Sequence, residues 1–413
     1  MTWCQKEDLL SALRSPSAFN RLALVLLAAL AAVACESSSA ADSEAQEAFP
    51  NLRPRFPVDR PLGFIANQDS DTVSVIDLGE GGQGGMGGQS AAAFTVLAQV
   101  PIGRDPVDFD GPRSLVFDRA RDVFYVALTY SQSVTSVHVM SASARRAGYL
   151  QVLARDDLRP LEEVRLQPAA FAVALSPDGS ELAATHYDTY LPTVNAGDPV
   201  KSRAVVAFVE PDALERAPAE VALCIAPADI AYQPGGAILV ACVGDDSIAV
   251  LDGTTKEVTA TLDIDVSAPQ KPVWLEVDAG SGKVAVSYEV TRRVGVLDSG
   301  DELTLEHLVQ LEGVPRRPFW LSASRLIVPT VDPDALVVVD LATDSIEQAL
   351  RLDPADCRAP GSLTELAGGR LFLVCQNNHF EPGTLLELER SSLAVLGRVE
   401  LGLFPDRMVV DEP

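Results

Sequence analysis

A unit of short β runs recurs along this chain, and no other feature narrows its fold as much. From Pro227 it reads PADIAYQPGGAILVACVGDDSIAVLDGTTKEVTATLDID. Three or four runs of apolar or alternating residues are parted by PGG, GDD and DGTTK turn signals, the pattern of a four-stranded antiparallel meander. Similar pieces stand elsewhere: FIANQDSDTVSVID ending at Asp77, LSPDGSELAAT ending at Thr185 and LIVPTVDPDALVVVD ending at Asp340. Recurrence of this kind overrides the two or three domains that 413 residues would otherwise suggest.

The unit resembles the YVTN-type β-propeller repeat, with its proline-led strand, its Pro-Asp-Gly turn (Pro177, Asp178, Gly179) and a third strand ending in Val-Ile-Asp (Val75, Ile76, Asp77). Aligned on the leading proline, the starts fall at Pro112, Pro168, Pro227, Pro272, Pro318, Pro360 and Pro405, with spacings of 56, 59, 45, 46, 42 and 45 residues. Three residues after each stands an apolar side chain: Leu115, Phe171, Ile230, Leu275, Leu321, Leu363 and Met408. The first strand pair, Gly63 to Leu78, lacks a leading strand, whereas Pro405 to Val410 is a leading strand with nothing after it. The resemblance therefore implies an all-β fold, a seven-bladed β-propeller of four-stranded antiparallel blades over residues 56–413, closed by a C-terminal strand that completes blade one. The two wide intervals hold insertions. A short helix is expected at SASARRAGYLQVLA, Ser141 to Ala154, and a long loop at Tyr187 to Lys201. The glycine run Gly79 to Gly88 has no following Lys-Ser or Lys-Thr and reads as a loop rather than a phosphate cradle.

Leu22 to Val33, LALVLLAALAAV, follows Arg21; it is too short to span a bilayer and suits the hydrophobic region of an export signal. Ala32, Val33, Ala34 and Cys35 resemble a bacterial lipobox, which implies that Cys35 is lipid-linked and becomes the mature N-terminus. Ordinary cleavage near Ala34, leaving Cys35 a free thiol, is the alternative. Glu36 leans toward sorting to an outer membrane. Ser37 to Phe49 is small, polar and acidic, a composition that buries too little apolar area to fold. The expected division is thus a signal at 1–34, a tether at 35–55 and the propeller from 56, with an extracytoplasmic, membrane-anchored location. A net charge of −26 excludes nucleic acid as a partner.

Besides Cys4 and Cys35 the chain has Cys224, Cys242, Cys357 and Cys375, and both pairs are 18 residues apart. In a blade of this type each pair has one Cys just before a leading strand and one at the end of the second strand, on the same face. Disulfides Cys224–Cys242 and Cys357–Cys375 are expected, each closed within one blade and contributing about 3 kcal/mol. A metal site is not favoured, since no Cys-x-x-Cys occurs.

By analogy of architecture, ligands bind on the face that carries the loops into the first strand and between the second and third. Asp229, Trp274, Trp320 and Arg407, each two positions after a leading proline, belong there. So do Tyr130, His186, Tyr187, Asp188, Glu289, Asp332, Asp334, Asn378, His379 and Glu381. Trp274 and Trp320 would either stack on a sugar, a lactone or a cation, or pack between blades, which is the plainer reading. His186 and His379 with nearby carboxylates show no metal-binding spacing. No Gly-x-Ser-x-Gly, Thr-Gly-Lys-Trp or Cys-x-x-Cys-His motif occurs, so no cofactor is expected. The leading functional reading is a tethered, non-enzymatic module that binds a protein, a polysaccharide or a small ligand. A lactonase-like or metal-assisted hydrolase at the channel mouth is the rival.

Overall fold

The computed structural model describes residues 53–79, 94–104, 110–129, 146–263, 269–299 and 303–413. The expected leader, most of the tether with Cys35, most of the glycine run and Tyr130 lie outside the described residues.

Seven antiparallel sheets make seven blades, and the inner strand of each blade packs against the next blade round a ring. Second strands such as Leu62–Asn67, Val123–Leu128, Ile238–Cys242, Val284–Tyr288 and Leu371–Cys375 are buried throughout. Both of their faces meet a neighbouring blade, which is why they read as continuous apolar runs. Alternation divides the faces: Ile238, Val240 and Cys242 pack toward blade 3, Leu239 and Ala241 toward blade 5. Seven apolar clusters fill the seven gaps between blades. Outer strands such as Pro160–Leu166 and Ser345–Arg351 are largely exposed and correspondingly polar.

The ring closes as the sequence suggested. Pro405–Asp411 is the inner strand of blade 1 and pairs antiparallel with Leu62–Asn67, with Leu62 opposite Asp411, Phe64 opposite Val409 and Ile65 opposite Met408. Pro112, Pro227, Pro272, Pro360 and Pro405 each open an inner strand, where a missing N–H costs no ladder bond. Two starts differ from the alignment. The inner strand of blade 3 begins at Ala170, two residues after Pro168. In blade 6 it is broken into Val314–Pro315 and Phe319–Ser322, so Pro315 takes the leading place and Pro318 lies in the gap, beside Arg316 and Arg317.

Both disulfides form between the expected cysteines, with Cα–Cα distances of 5.8 and 5.4 Å. The within-blade expectation is corrected. Cys224 ends the outer strand of blade 3, because only Ile225 and Ala226 separate that strand from Pro227, so its bridge to Cys242 joins blades 3 and 4. Cys357 lies in the loop from blade 6 to blade 7 and packs, with Cys375, against residues of both. The expected helix is also corrected: Gly148–Ala154 is the third strand of blade 2, paired on both edges, and two-sided pairing outweighs local propensity. Tyr187 to Lys201 is the expected long loop and carries a one-turn helix, Tyr190–Val194.

Candidate functional site

Inner strands line the axis, so residues near their first positions meet there whatever their separation in sequence. Asp229 of blade 4 accepts the backbone N–H of Leu275 in blade 5 at 2.8 Å and an ion pair from Arg317 of blade 6, also at 2.8 Å. Arg317 donates further to the carbonyl of Leu275 at 2.7 Å and lies 3.6 Å from Glu276. Arg407, from blade 1, reaches Glu276 from the far side of the ring at 3.2 Å. These contacts between non-adjacent blades reach across the axis with paired charge. Burial opposes the charge on Arg317, but Asp229 and Glu276 outweigh it and leave the guanidinium more basic than usual.

An aromatic cluster accompanies this network. Trp274 of blade 5, 7% exposed, packs with Ala228, Val243 and Val273, and Phe171 and Tyr187 of blade 3 lie against it. Ring centroids are 6.4 Å apart for Phe171 and Trp274, nearly parallel, and 5.0 Å apart for Phe171 and Tyr187. The guanidinium of Arg113, from blade 2, lies 3.7 Å over the Phe171 ring, and that of Arg317 lies 5.0 Å from Trp274. Arg316 pairs with Glu289 at 3.2 Å. Two donors in this group, Nε1 of Trp274 and Nε of Arg316, are buried without a hydrogen-bond partner. Burial pushes the Tyr187 phenol up, helped by Glu289.

The expected site residues therefore separate into groups. Asp229, Trp274, Tyr187, Glu289 and Arg407 come together around the axis. Trp320 does not: the broken inner strand sets it opposite Leu326, where it packs between blades 5 and 6 and donates Nε1–H to the Glu276 carbonyl at 2.9 Å. His186 does not either. Thr185 donates to Ala228 of blade 4 at 2.6 Å, so by alternation His186 turns to the blade 2 side. There Nδ1 donates to the Val205 carbonyl at 2.9 Å, Nε2 has no partner, and burial holds the imidazole down at about 4. His379 stands exposed on blade 7, stacked on Phe404 with centroids 4.1 Å apart and 2.5 Å from Asp69. Asp332 and Asp334 line a groove of about 560 Å³ between blades 6 and 7, together with Arg358 and Asn378. Glu381 lies 3.6 Å from Arg358, and Asp188 caps the one-turn helix through the Tyr190 N–H. Among the described residues no three His, Cys, Asp or Glu side chains are placed to hold a metal ion.

Arg113, Phe171, Arg316, Arg317 and Glu276 did not figure among the expected site residues. Arg113 directly follows an aligned proline, a signal that was present. Arg316 and Arg317 were hidden by placing the blade 6 start at Pro318.

No described protein family matches the chain, and no curated protein matches it either. Solved structures do. The periplasmic gluconolactonase of Pseudomonas aeruginosa is 16% identical, with 86% of this chain and 100% of that one covered and a TM-score of 0.61. A Bacteroides uniformis protein provisionally assigned as a 6-phosphogluconolactonase is 11% identical over 86% and 100%, with a TM-score of 0.62. Virginiamycin B lyase from Staphylococcus aureus, in its selenomethionine form, is 11% identical over 71% and 85%, with a TM-score of 0.51. At these identities the likeness is one of fold, and it spans proteins named for different reactions. The chain is a seven-bladed β-propeller, and these three structures share its fold.

Proposed function

We propose that this propeller is an extracytoplasmic binding module that takes a small ligand into the mouth of its central channel. The observation that carries the reading is the meeting of Phe171, Tyr187 and Trp274 over the axis with a buried, unpartnered Trp274 Nε1–H. A buried donor without an acceptor costs about 1–3 kcal/mol, and a ligand oxygen would supply the acceptor. Binding is favoured over hydrolysis because the axial carboxylates Asp229, Glu276 and Glu289 are all engaged by arginines, and the buried imidazole of His186 is bonded to the Val205 carbonyl of its own blade. The likeness to solved lactonases supports the fold and leaves the reaction to experiment.

The test is a thermal-shift panel of sugars, lactones, sugar acids and aromatic acids. At least one compound should raise the Tm of the wild-type protein and fail to raise that of Phe171→Ala. A panel in which nothing shifts the Tm, or in which Phe171→Ala responds like wild type, would contradict the reading.

Two disulfides support a location in an oxidising compartment. We further propose anchoring through a lipid on Cys35. Labelled palmitate should enter the full chain and be lost in Cys35→Ala; label that persists in the variant would overturn the anchor.

A further inference from the structure

Of the arginines around the axis, three are neutralised by carboxylates: Arg317 by Asp229 and Glu276, Arg407 by Glu276 and Arg316 by Glu289. Arg113 is not. Its Nη1 donates to Oε1 of Gln68 at 2.7 Å and its plane covers Phe171, yet among the described residues no carboxylate lies within ion-pair distance. Asp406 acts on it only through space, while burial and the like charges of Arg316 and Arg317 all press against its cationic form. A guanidinium stays protonated under such pressure, so the unfavourable charge persists in the free protein. Asp406 offsets the charge only from beyond ion-pair distance and leaves two of the guanidinium's donors without an acceptor, so an anion arriving from outside would relieve it.

The free donors also define the anion. With Nη1 committed to Gln68, the pair left is Nε–H and Nη2–H, two parallel donors that match the two oxygens of one carboxylate side-on. The neighbouring Arg316 and Arg317 are already paired and Asp406 partly offsets Arg113, so the site balances a single negative charge at most, which disfavours a phosphate dianion. The surroundings of this fork are Phe171 and Tyr187, both partly exposed, with the unpartnered Nε1–H of Trp274 in the same cluster.

We infer that the ligand is a small ring-bearing monocarboxylate, its carboxylate held by Nε and Nη2 of Arg113 and its ring against Phe171 and Tyr187. This deepens the small-ligand reading above and rests on it. Charge-assisted bidentate bonding in a partly desolvated site should favour an acid over its neutral counterpart by tenfold or more.

The experiment measures affinities by titration calorimetry for two matched pairs, 4-hydroxybenzoate with 4-hydroxybenzamide and galacturonate with galactose, and for glucose 6-phosphate. The wild-type protein should bind the acid of at least one pair about tenfold or more tighter than its neutral partner. That gap should shrink to about twofold in Arg113→Gln and persist in part in Arg113→Lys. Gln68→Glu, which sets a carboxylate against the same guanidinium, should also close the gap, and it serves where Arg113→Gln does not fold. Equal affinity for acid and neutral partner, a gap untouched by both variants, or tighter binding of glucose 6-phosphate than of either acid would overturn the assignment while leaving small-ligand binding intact. Silence from all five compounds would overturn both.

Discussion

Deleting Phe404 to Pro413 should abolish cooperative unfolding and leave a protein that does not form the ring. The segment supplies the inner strand of blade 1, so its loss exposes the edge of Leu62–Asn67 along its whole length. It also removes Met408, 1% exposed in the cluster between blades 7 and 1, and strips Asp411 from Arg155, a pair at 2.5 Å in which Arg155 is 2% exposed. A buried arginine left alone costs several kcal/mol in addition to the lost burial. Met408→Ala is the milder version and should cost about 2–5 kcal/mol, because the atoms it removes fill space that the ring cannot close up. Circular dichroism in a urea titration checks both. A truncated chain that melts with the midpoint of the full one would show that closure does not depend on this strand.

Arg317→Met should be the most damaging single substitution at the axis, at about 3–5 kcal/mol, since it leaves Asp229, which is 3% exposed, without its counter-charge, whereas the partly buried Glu276 keeps Arg407. The sign of the effect can be separated from simple loss of packing. Adding Asp229→Asn to Arg317→Met should recover part of the loss, because the amide oxygen still accepts the Leu275 N–H and the stranded charge is gone. Urea midpoints for the two single variants and the double variant give the coupling directly. A loss below about 1 kcal/mol in Arg317→Met would mean that water screens the network across the axis.

Much of the ring was legible because its physics is local. Each leading proline marks a strand start that can spare an N–H, each turn signal marks a change of direction, and a headless first blade with a tailless last strand implies closure. The cysteine pairings were legible because the short link from one blade into the next brings each pair together, whereas the sequence did not show that the Cys224–Cys242 bridge ties two blades. What failed to show in the sequence depends on distant contacts. Nothing near Pro318 says that blade 6 breaks its inner strand, because the break holds Arg317 against Asp229, 88 positions away in the chain. The slip then carried Trp320 to the axis on paper, whereas it packs between blades. Arg113 and Phe171 were missed because their partnership spans two blades, and an arginine after a proline carries no mark of what it will lie against. His186 was misplaced by a single step of alternation, which in a blade is the difference between one neighbour and the other.

The central claim is that the channel mouth, and Trp274 within it, meets the ligand. In a chain from residue 35 carrying Trp320→Phe, Trp274 is the only tryptophan. Fluorine-labelled tryptophan would then give a single resonance reporting on that ring. Titration with the acid that binds best should move or broaden this resonance in step with the calorimetric saturation, and Arg113→Gln should suppress the change. A resonance that stays fixed while calorimetry shows saturable binding would place the ligand elsewhere on the propeller and contradict the account.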